Sequence, residues 1–237
     1  MSAEPAFRDP SPIAVALDAP DLDRAVALAA SVGPQVSTLK VGLEVYLRYG
    51  RSAVERVRAA APSCQLFLDL KLHDIPNTVA GAAAAVADLT PDILTVHASG
   101  GPEMIRAAVD KLPQTLVAGV TVLTSLSAQD LDLLGVAGTP IDTVRRWAAM
   151  AVAAGAKALV CSPAEVAAVR GEVGEAIMLI TPGVRPVGAD AGDQRRIATA
   201  PQALADGADL LVIGRPITAA PDPAQAAATI AAEIHGH

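Results

Sequence analysis

The feature that most constrains this chain is a rhythm. Short apolar runs rich in strand-forming residues alternate with alanine-rich helical stretches along almost its whole length. The runs that read as strands are Ile13–Asp18, Ser37–Val41, Gln65–Leu70, Ile93–His97, Leu116–Thr121, Ala158–Cys161, Ile177–Thr181 and Leu210–Ile213. Helical stretches lie between them: Leu22–Ser31, Glu44–Ala60, Thr78–Leu89, Pro102–Lys111, Ile141–Ala154, Pro163–Arg170 and Pro223–Ile234. Asp21 and Ser162 sit where helix N-caps belong, Ser162 followed by a proline, and Gly155 sits where a helix would end. Strands that are apolar throughout belong to a parallel sheet covered on both faces. Eight of them joined by helices in 237 residues predict a single-domain (β/α)8 TIM barrel over residues 13–237, behind a flexible, polar, proline-rich tail at 1–12. A doubly wound open sheet has the same rhythm, because periodicity does not report closure.

Composition excludes several classes of function. A net charge of −7 with 2% aromatic residues leaves neither a basic patch nor a stacking platform for nucleic acid. Cys64 and Cys161 lie far apart, each on an apolar run, which suits a reducing compartment and no disulfide framework. The tail lacks the charged and apolar regions of a signal peptide. The most apolar helical stretch, Val79 to Ala87, is closed by Asp88 and is too short to cross a bilayer. The expectation is a soluble cytoplasmic protein with neither nucleic acid nor membrane as partner.

A barrel places its catalytic residues at the C-terminal ends of its strands. Asp18, Lys40, Asp69, Lys71, His97, Thr124, Arg185, Gly214 and Arg215 all fall at or just beyond such ends, whereas Lys111 and Lys157 fall at the opposite rim. The densest group is Asp69-Leu70-Lys71-Leu72-His73-Asp74. Alternation along a strand turns Asp69 and Lys71 to one side and Leu68, Leu70 and Leu72 to the other, with Asp74 following where the chain must turn. The chain has only four lysines against fourteen arginines, yet one of them stands between two aspartates. A surface ion pair would look the same and contribute little. The loops after the last two strands suit phosphate: Gly183 and Gly214 let backbone approach an anion, and Arg215 offers a planar fork. The stretch from Pro186 to Gln194, with two glycines and little apolar content, could serve as a lid.

These residues carry a family resemblance. Ala16-Leu17-Asp18, Leu39-Lys40-Val41-Gly42, Phe67 to Thr78, Val122-Leu123-Thr124-Ser125, Thr181-Pro182-Gly183-Val184-Arg185 and Ile213-Gly214-Arg215 stand in the order found in the orotidine 5′-phosphate decarboxylases, which the chain resembles from Ile13 onward. Sugar-phosphate enzymes of the same superfamily share the Asp-x-Lys-x-x-Asp core, and the Leu-Thr-Ser, Thr-Pro-Gly-x-Arg and Gly-Arg segments narrow the choice. The resemblance implies conversion of orotidine 5′-phosphate to UMP with no cofactor and no metal. It makes Lys71, Asp69, Asp74 and Lys40 the catalytic set, with Lys71 protonating C6. It places Asp18 and Lys40 on the ribose hydroxyls, Asp69 by the substrate carboxylate and Thr124 near the pyrimidine. Arg185, Gln194, Gly214 and Arg215 are placed at the phosphate and its lid, and Thr78 joins the substrate-binding set. It also implies a homodimer in which Asp74 is contributed across the interface.

Other residues read as structural. His73 shares the side of Asp69 and Lys71 only if the strand runs that far, and reads as an orienting residue. His97 suits a site wall and a hydrogen-bonded core position equally. His235 and His237 lie in the C-terminal tail, Cys64 and Cys161 read as small apolar fillers, and Trp147 and Met150 fit a helix's core face. No spacing resembles a zinc site. Two competing functions share the Asp-Lys-Asp core or the nucleotide site: a Mg2+-dependent enzyme acting on a sugar phosphate, and a barrel that binds a UMP-like ligand without turnover.

Overall fold

The computed structural model describes residues 11–185 and 198–236. Its eight strands are β1 (Ser11–Ala16), β2 (Val36–Gly42), β3 (Gln65–Leu72), β4 (Ile93–His97), β5 (Leu116–Val120), β6 (Ala158–Val160), β7 (Met178–Pro182) and β8 (Leu210–Ile213). All neighbours pair in parallel, in chain order. Closure comes from β1 against β8, with Ile13, Ala14 and Val15 opposite Leu211, Val212 and Ile213, so the sheet is a barrel and the open-sheet alternative falls.

The continuous apolarity of the strands has a direct cause. Ala14, Phe67, Ile93, Ala118, Ala158, Ile180 and Leu210 fill the barrel interior as one cluster. Their immediate neighbours Val15, Leu68, Leu94, Leu179 and Leu211 belong to the larger core between strands and helices. Both faces of these strands are therefore buried and mostly apolar, with Thr38, Lys40, Asp69, Thr95 and Thr181 as buried polar exceptions.

The helices are α1 (Leu22–Val32), α2 (Leu43–Tyr49), α3 (Arg51–Ala60), α4 (Pro76–Val86), α5 (Pro102–Lys111), α6 (Ala128–Leu133), α7 (Pro140–Ala153), α8 (Val166–Val173), α9 (Ala200–Ala205), α10 (Arg215–Thr218) and α11 (Pro223–His235). Asp21 caps α1, its carboxylate accepting the Arg24 N–H at 2.7 Å. The single helix expected over Glu44–Ala60 is two, because Gly50 at φ +55 breaks it. Ser162 does not cap a helix. Its N–H and hydroxyl both donate to the buried Glu165 carboxylate, at 3.0 and 2.6 Å, and that turn delays α8 until Val166. The short helices α6, α9 and α10 answer to no expected stretch. Among the described residues no helix is long and apolar enough to cross a membrane. Ser11 and Pro12 open β1, and the rest of the expected tail lies outside the described residues.

At the N-terminal end of the strands two similar clamps recur four strands apart. Before β8, Asp209 accepts the Leu179 N–H at 2.7 Å and Arg170 at 2.5 Å, while Arg170 also donates to the carbonyls of Gly174, Ile177 and Gly207. Before β4, Asp92 accepts the Leu66 N–H at 2.7 Å, and Arg58 donates to the hydroxyl and carbonyl of Thr90. Each clamp satisfies strand-end backbone groups that the ladder leaves open.

Candidate active site

The opposite end of the barrel holds a cleft of about 280 Å3. Ala16 and Asp18 line it from the end of β1, Lys40 from β2, and Phe67, Asp69 and Lys71 from β3. The loop after β5 adds Thr124, the end of β6 adds Cys161, that of β7 Gly183 and Arg185, and that of β8 Gly214 and Arg215. Nine of the residues singled out for the site in the sequence thus meet in one place.

The floor of the cleft is a chain of charges. Asp69, 9% exposed, takes Lys71 Nζ on Oδ1 at 2.7 Å and Lys40 Nζ on Oδ2 at 3.1 Å. Lys40 in turn lies 3.8 Å from the half-exposed Asp18. Burial alone would favour the neutral acid at Asp69, but Lys40 and Lys71, by charge and by hydrogen bond, outweigh it and hold the carboxyl below its ordinary range. Gly42 makes room for the pair beyond: a Cβ there would stand 2.9 Å from Asp18 Oδ1 and 3.1 Å from Lys40 Nζ.

Lys71 meets Asp69 by a route that simple alternation does not foresee. β3 and β4 lose register between Leu68 and Leu72, and Lys71 takes φ +49, a left-handed conformation that costs a residue with a side chain about 1–2 kcal/mol. A bulge, not a regular strand, aims the lysine into the cleft. Thr95 on β4, fully buried, accepts the Lys71 N–H at 2.8 Å and donates its hydroxyl to Asp69 Oδ1 at 3.0 Å. The sequence reading passed over Thr95; a hydroxyl in the middle of an apolar strand was its only signal.

Two expected site residues lie outside this cleft, and a third falls outside the described residues. Asp74 and Thr78 are exposed and do not line the cleft of their own chain, and the Asp74 carboxylate accepts the N–H of Ile75 at 2.6 Å. Gln194, with the expected lid from Pro186, falls outside the described residues. β3 ends at Leu72, so His73 is not part of the strand; it is exposed, its ring centroid 5.2 Å from that of His97. Burial, His73 and Lys71 together push His97 below the usual histidine range, with Asp69 opposing. His97 is half-buried and does not line the cleft. Cys161 does line it, but burial pushes its thiol up to about 12, which rules out a resting thiolate. Among the described residues no three His, Cys, Asp or Glu side chains gather as metal ligands.

A closed parallel barrel whose strand ends converge on one polar cleft, floored by two lysines sharing a buried carboxylate, defines a TIM-barrel enzyme. The chain belongs to the orotidine 5′-phosphate decarboxylase / HUMPS family, which it matches over residues 11–230. It is 64% identical over 224 residues to orotidine 5′-phosphate decarboxylase of Thermobifida fusca, covering 94% of this chain and 96% of that protein. The enzyme of the same name from Frankia casuarinae is 52% identical over 252 residues, covering 98% and 92%. The crystal structure of orotidine 5′-phosphate decarboxylase from Lactobacillus acidophilus superposes with a TM-score of 0.82 at 33% identity, covering 94% of this chain and 99% of that one.

Proposed function

We propose that this protein decarboxylates orotidine 5′-phosphate to UMP, a step of pyrimidine biosynthesis, without a cofactor. The observation that carries the reading is the Lys40–Asp69–Lys71 chain, centred on a buried carboxylate, in a cleft also lined by Arg185, Gly214 and Arg215. Such a cleft offers a charged end for chemistry and a cationic end for phosphate.

Loss of CO2 from C6 of the pyrimidine leaves an electron pair in the ring plane, where no adjacent carbonyl accepts it. The protein must then stabilise that charge electrostatically. Lys71 does so with its ammonium and transfers a proton to C6, forming the new C–H bond and becoming a neutral amine that solvent reprotonates. Lysine suits this step because an arginine there would stay charged and release no proton. Asp69 faces the substrate carboxylate, a repulsion relieved when CO2 departs. Lys40 holds Asp69 ionised and, with Asp18, binds the ribose hydroxyls. Thr124 lies by the pyrimidine, and Arg185, Gly214, Arg215 and Gln194 take the phosphate, whose binding energy organises the charged end.

The active unit in this reading is a homodimer. Asp74 and Thr78 are exposed outside their own cleft, beside Ile75 at 66% exposure, an arrangement that suits delivery of Asp74 and Thr78 into the cleft of a second copy. There Asp74 completes an alternating series of two lysines and two aspartates around the reacting carbon.

The test is the loss of ultraviolet absorbance when purified protein meets orotidine 5′-phosphate in excess EDTA. Conversion to UMP is expected for the wild type and not for Lys71→Ala. Activity that appears only with added Mg2+, on a sugar phosphate, would move the same residues to a different chemistry. UMP binding without turnover would leave a nucleotide-binding barrel.

A further inference from the structure

We propose that Thr95 is a positioning residue for the reaction, fixing the bulge that presents Lys71 and the rotation of the Asp69 carboxylate. The inference rests on the assignment of Lys71 as proton donor.

The pairing between β3 and β4 shows why this threonine differs from any other in the barrel. Leu68 stands opposite Leu94, and Leu72 opposite Val96. Between those two points β3 carries Asp69, Leu70 and Lys71, while β4 carries Thr95 alone. Two extra residues in one strand displace it from the ladder and leave backbone groups without their regular partners. One of them is the Lys71 N–H, and the Thr95 hydroxyl takes it at 2.8 Å. The same residue bears the left-handed φ of +49. A side chain thus substitutes for the missing ladder bond at the strained residue of the bulge.

The hydroxyl has a second task. A threonine oxygen accepts through its lone pairs while donating its single proton, and here the proton goes to Asp69 Oδ1 at 3.0 Å. That oxygen also receives Lys71 Nζ at 2.7 Å, while Oδ2 receives Lys40 at 3.1 Å. Thr95 therefore pins the carboxylate so that one oxygen serves each lysine. Through one buried atom, the backbone that carries Lys71 and the carboxylate that orients its ammonium are held in register. Thr95 itself does not line the cleft.

Steady-state kinetics on orotidine 5′-phosphate test this in the wild type, Thr95→Val, Thr95→Ser and Lys71→Ala, with the Kd for UMP measured alongside. Valine keeps the shape and removes the hydroxyl; serine keeps the hydroxyl. Thr95→Val is expected to lower kcat about 10²-fold, the cost of a reacting group misplaced by roughly 1 Å. KM and the UMP Kd should change less than about threefold, because ground-state contacts are untouched. Thr95→Ser should restore most of the kcat. If Thr95→Val does not fold, Thr95→Ala removes the same hydroxyl with less bulk and takes its place in the comparison. An active wild type and an inactive Lys71→Ala, together with a Thr95→Val of undiminished kcat, would overturn the inference. So would a folded Thr95→Ser as impaired as the valine variant. A wild type that leaves orotidine 5′-phosphate unchanged would instead overturn the reading of the site, and this inference with it.

Discussion

The two ends of this barrel use charge in opposite ways. At the N-terminal end of the strands, Arg170 and Asp209 spread their hydrogen bonds over one another, one strand N–H and three backbone carbonyls. Charge there completes the backbone's own bonding. At the C-terminal end, two lysines share one buried carboxylate, a left-handed residue presents one of them, and the whole group opens on a cleft. Crowding two cations on a single anion beside a cavity is a poor way to stabilise a fold and a good way to receive an anionic ligand. Perturbed, clustered charges of this kind belong at functional sites.

Exchanging the two kinds of damage sharpens that contrast. Lys71→Ala should lower kcat by at least about 10³-fold, the combined scale of a lost proton donor and a lost electrostatic contact. Nucleotide binding should stay measurable, and near-normal turnover would remove Lys71 from the reaction. Arg170→Ala should do the reverse, costing about 2–3 kcal/mol of stability through unsatisfied carbonyls and an unpaired Asp209. Its kcat per folded molecule should match the wild type; a large loss of kcat with unchanged Tm would break the comparison.

A smaller effect separates strain from charge at a single position. Lys71→Gly and Lys71→Ala both remove the ammonium, but only glycine accepts φ +49 without penalty. The glycine variant should therefore be more stable by about 1 kcal/mol in urea denaturation. Equal stabilities would mean that the bulge relaxes once the lysine is gone. The subtlest prediction concerns pH. Asp69 titrates below its ordinary value of 3.8 in the fold, so between the two values the unfolded chain binds more protons and stability rises with pH. That contribution is complete above the ordinary value and disappears as pH falls through the folded one. Asp69→Asn should show a shallower loss of stability than the wild type over that acid window, and parallel curves would place the acid sensitivity elsewhere.

Much of this contrast was legible in the residues. The apolar runs marked the strands because barrel strands are buried on both faces, and strand ends pointed to Asp18, Lys40, Asp69 and Lys71 because a barrel exposes its cleft there. The failures have separate physical origins. Gly50 breaks a helix through a backbone conformation that glycine only permits, Ser162 bonds Glu165 three residues on instead of capping, and β3 slips its register against a strand distant in sequence. Asp74, expected to act across a dimer interface, lies outside the cleft of its own chain, because the strand ends at Leu72.

The sequence by itself determined the alternation of strands and helices, the rim on which the charges gather, and the family, because these follow from local patterning and from motifs in order. Only the tertiary structure decided that the sheet closes, through β1 on β8, and that Thr95 stands alone against the bulge carrying Lys71. Closure and register are pairings between residues distant in the chain. The hydrophobic pattern of either strand is compatible with several such pairings, and assembly of the whole barrel selects one.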